Sequence, residues 1–340
     1  MLARKSLAWI VGCLAVFALS AAAAAETHWN LQAVDGSGVG TWSGSYPLTL
    51  TGLILNDPEE VLDPSAGFVA YDSNNVFPIR MGGQWQVFVQ PIDANDHAGT
   101  ALWMGQNYGN LPYKHDSSLS YTDAEWTAEM ARVNYDANSG HQFRKGDLVM
   151  VTANITGFYG GKTNVNEAHF KTLAYDFTLS LLEANYGLPA PEVISIADVM
   201  RVDDGNADTH EDIFDANRLT GGEYYQGRYV RINGVTLTDA NGWGLEDWDD
   251  RLCTITDGNS RYFTLRMPRG SVVDLGAAPT REFDAIGILN QESGSSSDGT
   301  FAYELFVTEV IPEPLTVSAV SAGAVALLWR RKRRGTWRKS

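Results

Sequence analysis

Apolar and polar residues alternate along most of the chain, in short runs bounded by Gly, Asn, Asp and Pro. Alternation with period two places one side of an extended strand on a core. In the C-terminal half five such runs follow one another: RYVRINGVTLTD (228–239), LCTITDG (252–258), RYFTLRMP (261–268), EFDAIGILNQES (282–293) and AYELFVTEVI (302–311). The N-terminal half has the same grammar: PLTLTGLILND (47–57), QWQVFVQP (84–91), TALWMGQ (100–106), GDLVMVTANITGFYGG (146–161) and AYDFTLSLLEA (174–184). An insert spanning 107–140 contains DAEWTAEMARVNY (123–135), which has a helix-like pattern. The stretch Lys162 to Glu167 reads as a turn stabilised by its Asn side chains.

Five short strands in about 90 residues suggest a small closed barrel. A long first strand with Gly234 at its centre, a strand ending in Asp257-Gly258, a hairpin partner and a fourth strand with Gly287 at a bend resemble, in that order, an OB-fold. The first half resembles it too, so an internal duplication is expected. The expected fold is mainly β: two OB-fold-like five-stranded barrels in tandem, over 26–188 and 223–310, with an N-terminal signal helix and a short C-terminal transmembrane helix. A linker over 189–222, stiffened by Pro189 and Pro191, joins the barrels. β-Sandwich domains are the alternative, because sheets of that kind share the alternation and turn spacing.

The termini carry different signals. Arg4 and Lys5 precede an apolar run from Leu7 to Leu19, and Ser20 with Ala21 to Ala25 offers small residues before Glu26. This is the layout of a secretory signal peptide over 1–25, cut by signal peptidase. Ile10-Val11-Gly12-Cys13 has a lipobox pattern, but the apolar run continues well past Cys13 and favours cleavage after the alanines. The mature chain then keeps one cysteine, Cys253, so no intramolecular disulfide forms. Cys253 lies on an alternating strand and reads as a small buried hydrophobe.

The chain has 41 acidic and 25 basic residues. Leaving aside Arg4, Lys5, Glu313 and the seven basic residues beyond Leu328, the body has 40 acidic against 16 basic residues. Such a surface repels phosphate backbones and makes nucleic acid an unlikely partner. A patch of Arg228, Arg231, Arg261 and Arg266 on one face would restore that option.

At the C-terminus an apolar run, 315–329, lies between Pro312-Glu313-Pro314 and the cluster Arg330, Arg331, Lys332, Arg333 and Arg334. The run is short for a membrane span, and the basic cluster favours the cytoplasmic side. A plain tail anchor has the same physics. The triplet, short apolar helix and Arg-rich end over 311–334 together resemble the PEP-CTERM sorting signal. That resemblance implies recognition of the segment by an exosortase, a membrane cysteine protease, and display at the cell surface or in the extracellular matrix. Residues Gly335 to Ser340 after the cluster depart from the simplest form of the pattern.

Catalytic patterns are absent from the sequence. His28, His97, His115, His141, His169 and His210 are scattered, and HExxH, GxSxG, Walker and GxGxxG motifs are missing. No catalytic residue and no cofactor is assigned. Two constellations are candidates for binding. In DANGWGLEDWDDR, Trp243 and Trp248 offer flat faces to sugar rings, while Glu246, Asp247, Asp249 and Asp250 accept hydroxyl hydrogens or hold a cation. Packing by the tryptophans beneath solvated acids is the alternative for this loop. The second constellation is Asp204, Asn206, Asp208, Asp212 and Asp215, at calcium-loop spacing. Thr209 replaces the required Gly and Asp215 the bidentate Glu, so an EF-hand is not expected and no metal is assigned.

The sequence therefore points to an exported, non-enzymatic surface or matrix protein, sorted by an exosortase, with exopolysaccharide or a divalent cation as candidate ligands. An exported polysaccharide hydrolase and an OB-type extracellular nucleic-acid binder are the alternatives from other classes.

Overall fold

The computed structural model describes residues 24–67, 82–106, 121–165, 177–206 and 208–313. Residues 1–23 of the stretch read as a signal peptide, and the tail from Pro314 onward with Arg330 to Arg334, lie outside them. The protein is mainly β, with a closed five-stranded barrel and a second, larger sheet. Among the described residues no helix is long and apolar enough to cross a membrane.

The larger sheet comes from the first half. Its strands are β1 (Ala24–Ala25), β2 (Leu48–Ile54), β3 (Gln84–Gln90), β4 (Thr100–Gly105), β5 (Leu148–Ala153), β6 (Thr156–Tyr159), β7 (Lys162–Val165) and β8 (Phe177–Glu183). They run in the order β6-β7-β4-β3-β2-β5-β8, with β1 parallel to β2 at the side. Alternation sets the faces of β3 and β4: Trp85, Val87, Val89, Leu102 and Met104 enter the sheet's own core, while Phe88, Ala101 and Trp103 point the other way. Three helices accompany this sheet: α1 (His28–Leu31), α2 (Pro58–Val61) and α3 (Asp123–Val133). Helix α3 starts at a capping box in which Thr122 and Glu125 satisfy each other's backbone N–H groups. Its Trp126 is buried and donates from Nε1 to the Pro64 carbonyl at 2.8 Å.

One expectation for this half is corrected. Lys162 to Val165 do not form a turn; they are strand β7, paired antiparallel with β6 and buried throughout. The turn is Gly160-Gly161, both with positive φ. Asn164 does bond to the Tyr159 and Lys162 carbonyls, but as a strand residue. Polar composition concealed the strand, because Lys162, Thr163 and Asn164 are buried against other parts of the fold, not exposed.

The barrel is built from β10 (Tyr229–Asp239), β11 (Leu252–Thr256), β12 (Tyr262–Arg266), β13 (Phe283–Gln291) and β14 (Tyr303–Pro312). Antiparallel pairs β10–β11, β11–β12, β13–β14 and β10–β13, with parallel β12–β14, close the ring. Closure removes the free edges and excludes a sandwich for this half. Gly287 allows the curvature: a Cβ there would overlap the Phe306 carbonyl, at the point where the β13–β14 register shifts. Residues 189–224 contribute β9 (Glu192–Ile194), parallel to β10, and two short helices, α4 (Ile196–Val199) and α5 (Gly221–Tyr224). Ile194, Ile196 and Val199 join the barrel core beside Val230, Phe263 and Leu305.

A third apolar cluster lies between the halves. Leu55, Val61, Leu62, Phe88, Ala101 and Trp103 from the sheet meet Tyr229, Ile286, Ile288 and Phe306 from the outside of the barrel. Full burial of such side chains contributes about 1.5–3 kcal/mol each. Hydrogen bonds frame this seam. The Tyr229 amide donates to Gln90 Oε1 at 2.8 Å, the Gly99 amide to the Gln226 carbonyl at 2.9 Å, and Arg251 to the Val61 carbonyl at 2.6 Å.

Candidate functional site

The outer face of β11 and β12 is partly open to solvent. Cys253, Ile255, Phe263 and Leu265 point inward, so Leu252, Thr254, Thr256, Tyr262 and Thr264 point outward. Leu252 and Tyr262 are exposed, and the three threonines are half-buried. Thr254 stands opposite Thr264, and Thr256 opposite Tyr262. The result is a small patch beside one accessible aromatic ring, in which Thr254 and Thr264 face solvent in part and the Thr256 hydroxyl is engaged by the Arg261 carbonyl and the Gly258 amide. At its border Arg266 and Glu304 form a buried ion pair at 2.8 Å, and Asn290 donates to the same carboxylate. Sequence patterning gave the strands but not this face, since threonine on a strand signals only β structure.

The neighbouring β10–β11 loop contains the predicted ligand loop. Trp243 donates from Nε1 to the Gly276 carbonyl at 2.8 Å and packs on the barrel core. Trp248 is stacked by the Arg266 guanidinium, 3.8 Å from its ring centre, and leans on Phe306 at the seam. Both rings are thus engaged by the fold. Glu246 accepts from Ser271 and pairs with Arg269 at 3.4 Å. Asp247, Asp249 and Asp250 are exposed around a short 3-10 turn.

The residues at calcium-loop spacing do not converge on one point. Asp204 accepts from the Asn206 amide, Asn206 from the Asp208 amide, Asp212 from the Tyr303 amide, and Asp215 from the Asn217 and Leu219 amides. The side chains of Asp204, Asn206, Asp212 and Asp215 each close a local turn or hold a strand end, and Asp208 is exposed. The acids brought within 4.8 Å of one another are instead Asp203, Asp204 and Glu211. Grouping of this kind is ordinary on an acidic, exposed surface.

The four arginines considered for nucleic acid are each matched with a carboxylate: Arg228 with Glu192, Arg231 with Asp284, Arg261 with Asp257 and Arg266 with Glu304. Cys253 is buried, and burial pushes its thiol up to about 11, away from nucleophilic use. Pro312 ends β14, and the Glu313 amide donates to the Glu282 carbonyl at 3.2 Å.

A polar cluster at the seam was not visible in the sequence. Glu223, on α5, accepts from the Tyr303 hydroxyl at 2.9 Å, while Arg218 Nε donates to the Glu223 carbonyl. Arg218 also bonds to the Trp29 carbonyl and stacks on the Trp29 ring at 3.9 Å. Burial pushes the Glu223 carboxyl up to about 7, against the Tyr303 hydrogen bond and the Arg218 charge, which pull it down. Burial likewise lowers Arg218 to about 10 and raises the Tyr303 phenol. Nearby, Asp96 accepts from the His28 and Trp29 amides, and His28 is fully buried against Thr100 and held down to about 4 by that burial. His97 stacks on Tyr224 and bonds to Glu192. His141 pairs with Asp147 and His210 stacks on Phe301; His115 and His169 lie outside the described residues. Partners this distant along the chain leave no local motif.

No family model, curated protein or solved structure matches this chain.

Proposed function

We propose that the protein is an exported, non-enzymatic surface or matrix protein whose barrel is of OB type and binds a neutral glycan on the outer face of β11 and β12. The observation that carries this reading is the Tyr262 and threonine patch on strands two and three of a ring paired one-two-three-five-four-one. In OB folds that face binds oligonucleotides and oligosaccharides. A net charge of −16 and the carboxylate-paired arginines favour an uncharged ligand. A pyranose ring stacks on an aromatic face, and hydroxyls fix its orientation.

The first half supports a duplication. β5 and β6 are separated by two residues and count as one broken fourth strand; β7 and β8 are taken together as the fifth, with 166–176 between them outside the described residues. Their pairings, β2–β3, β3–β4, β4–β7, β6–β7, β5–β8 and β2–β5, then repeat the barrel's order. The reading of the ends is kept from the sequence: signal peptidase acts at the N-terminus, and an exosortase handles the segment from Pro312.

Affinity electrophoresis against a panel of neutral polysaccharides tests the binding. Retardation of the wild type, lost in Tyr262→Ala and Thr264→Arg, is the expected result; unchanged mobility of the wild type across the panel sinks the glycan reading. Intact mass of protein from envelope and medium, with and without an active exosortase, tests the sorting.

A further inference from the structure

Two residues of the triplet stand at the barrel's exit: Pro312 ends strand β14, and Glu313 follows it. Ile311 pairs with Asp284 and Pro312 with Phe283, and the Glu313 amide still bonds to the Glu282 carbonyl. Antiparallel rungs alternate between hydrogen-bonded and non-hydrogen-bonded pairs. The Glu313 bond therefore puts Pro312 at a non-hydrogen-bonded pair, where its missing N–H costs nothing. Val310 and Ile311, just upstream, are half-buried against the barrel core and the seam. There is thus no spacer between the last packed residue and Pro312-Glu313-Pro314.

Proteases commonly take their substrates as extended strands whose backbone groups pair with the enzyme. The same groups on Ile311 and Glu313 cannot serve the barrel and an enzyme together. We infer that the end of β14 gates processing: Ile311 to Glu313 must leave the β13 ladder before the sorting enzyme can seat the triplet. The idea rests on the sorting reading given above. Cleavage itself breaks one peptide bond, with a water supplying hydroxyl to the carbonyl side, which leaves as a carboxylate, and hydrogen to the released amine of the tail. Folding of the barrel and release from the membrane are then coupled through three residues.

Pulse-chase measurement of tail loss tests this in a host with an active exosortase, using the full chain. One variant has six Gly and Ser residues inserted between Ile311 and Pro312, so that the triplet stands clear of the ladder. A control has the same insert in the exposed loop at Ser296, and thermal unfolding checks that both barrels are intact. The spacer variant is expected to lose its tail at least tenfold faster than the wild type, with the control unchanged. Equal rates for a wild type and a spacer variant that are both cut overturn the gate and leave the sorting reading standing. Tail retention in both variants overturns the sorting reading, and the gate with it.

Discussion

Strands β3 and β4 of the first half and strands β11 and β12 of the barrel turn their outer faces to different environments. On β3 and β4 that face carries Phe88, Ala101 and Trp103 and is buried in the seam; on β11 and β12 it carries Thr254, Tyr262 and Thr264 and is open. The loops follow the same division. Val61 and Glu60, after β2, receive Arg251 and Arg269, and the Gly160 turn donates to Ser295. The first half thus uses on its own neighbour the surface that the barrel leaves free. The difference teaches that side-chain type decides the use of a strand face: apolar residues on β3 and β4 bury theirs against the barrel, while threonines and one tyrosine leave that of β11 and β12 open to solvent.

Breaking the seam gives the largest expected effect. Phe88 is 1% exposed and meets Phe306 with ring centres 6.3 Å apart. Phe88→Ala should cost about 3–5 kcal/mol, read as a lower denaturant midpoint, since a buried ring is lost and the cavity collapses only in part. A cost below about 1 kcal/mol would mean that the halves fold independently of this contact.

Next is the buried acid. Glu223 is held up to about 7 in the folded chain, above its unfolded value near 4.5, so the folded state holds the proton more tightly. Stability present below pH 4.5 is therefore lost as pH rises through 7, by an amount on the order of 3 kcal/mol. Glu223→Gln keeps an acceptor for Tyr303 and removes the titration. Denaturant midpoints measured from pH 5 to 8 should fall for the wild type relative to the variant; parallel curves would place the carboxyl in contact with water.

Close backbone approach gives a third and smaller effect. A Cβ on Gly99 would overlap the Gly227 carbonyl across the seam. Gly99→Ala should cost about 1–3 kcal/mol through displaced backbone, measured in the same titration.

How much of this was legible in the sequence depends on distance along the chain. The barrel strands and α3 were readable because alternation and a capping box are local patterns, as at Phe263 and Leu265 or Thr122 and Glu125. Strand β7 was hidden because its buried residues are polar: Lys162 bonds to the Gln291 carbonyl and Thr163 to Gln32, both supplied from far along the chain. The seam was hidden for the same reason, since Phe88 and Phe306, or Arg218 and Trp29, have no spacing relation. In the loop 239–251 the residue types suggested a ligand, yet Trp248 is engaged by Arg266 and Phe306, which only the fold brings near.

The smallest expected effect on stability falls on the open face and sharpens the comparison most. Tyr262 is 44% exposed, and its ring is not part of any apolar cluster in the described residues. Tyr262→Lys should change the denaturant midpoint by no more than about 0.5 kcal/mol, because a surface substitution away from core, caps and ion pairs removes little. Retention on a neutral polysaccharide should nevertheless be lost, since the stacking surface is gone. A destabilisation as large as that of Phe88→Ala would mean that Tyr262 is a packing residue too, and that both faces serve to hold the fold together.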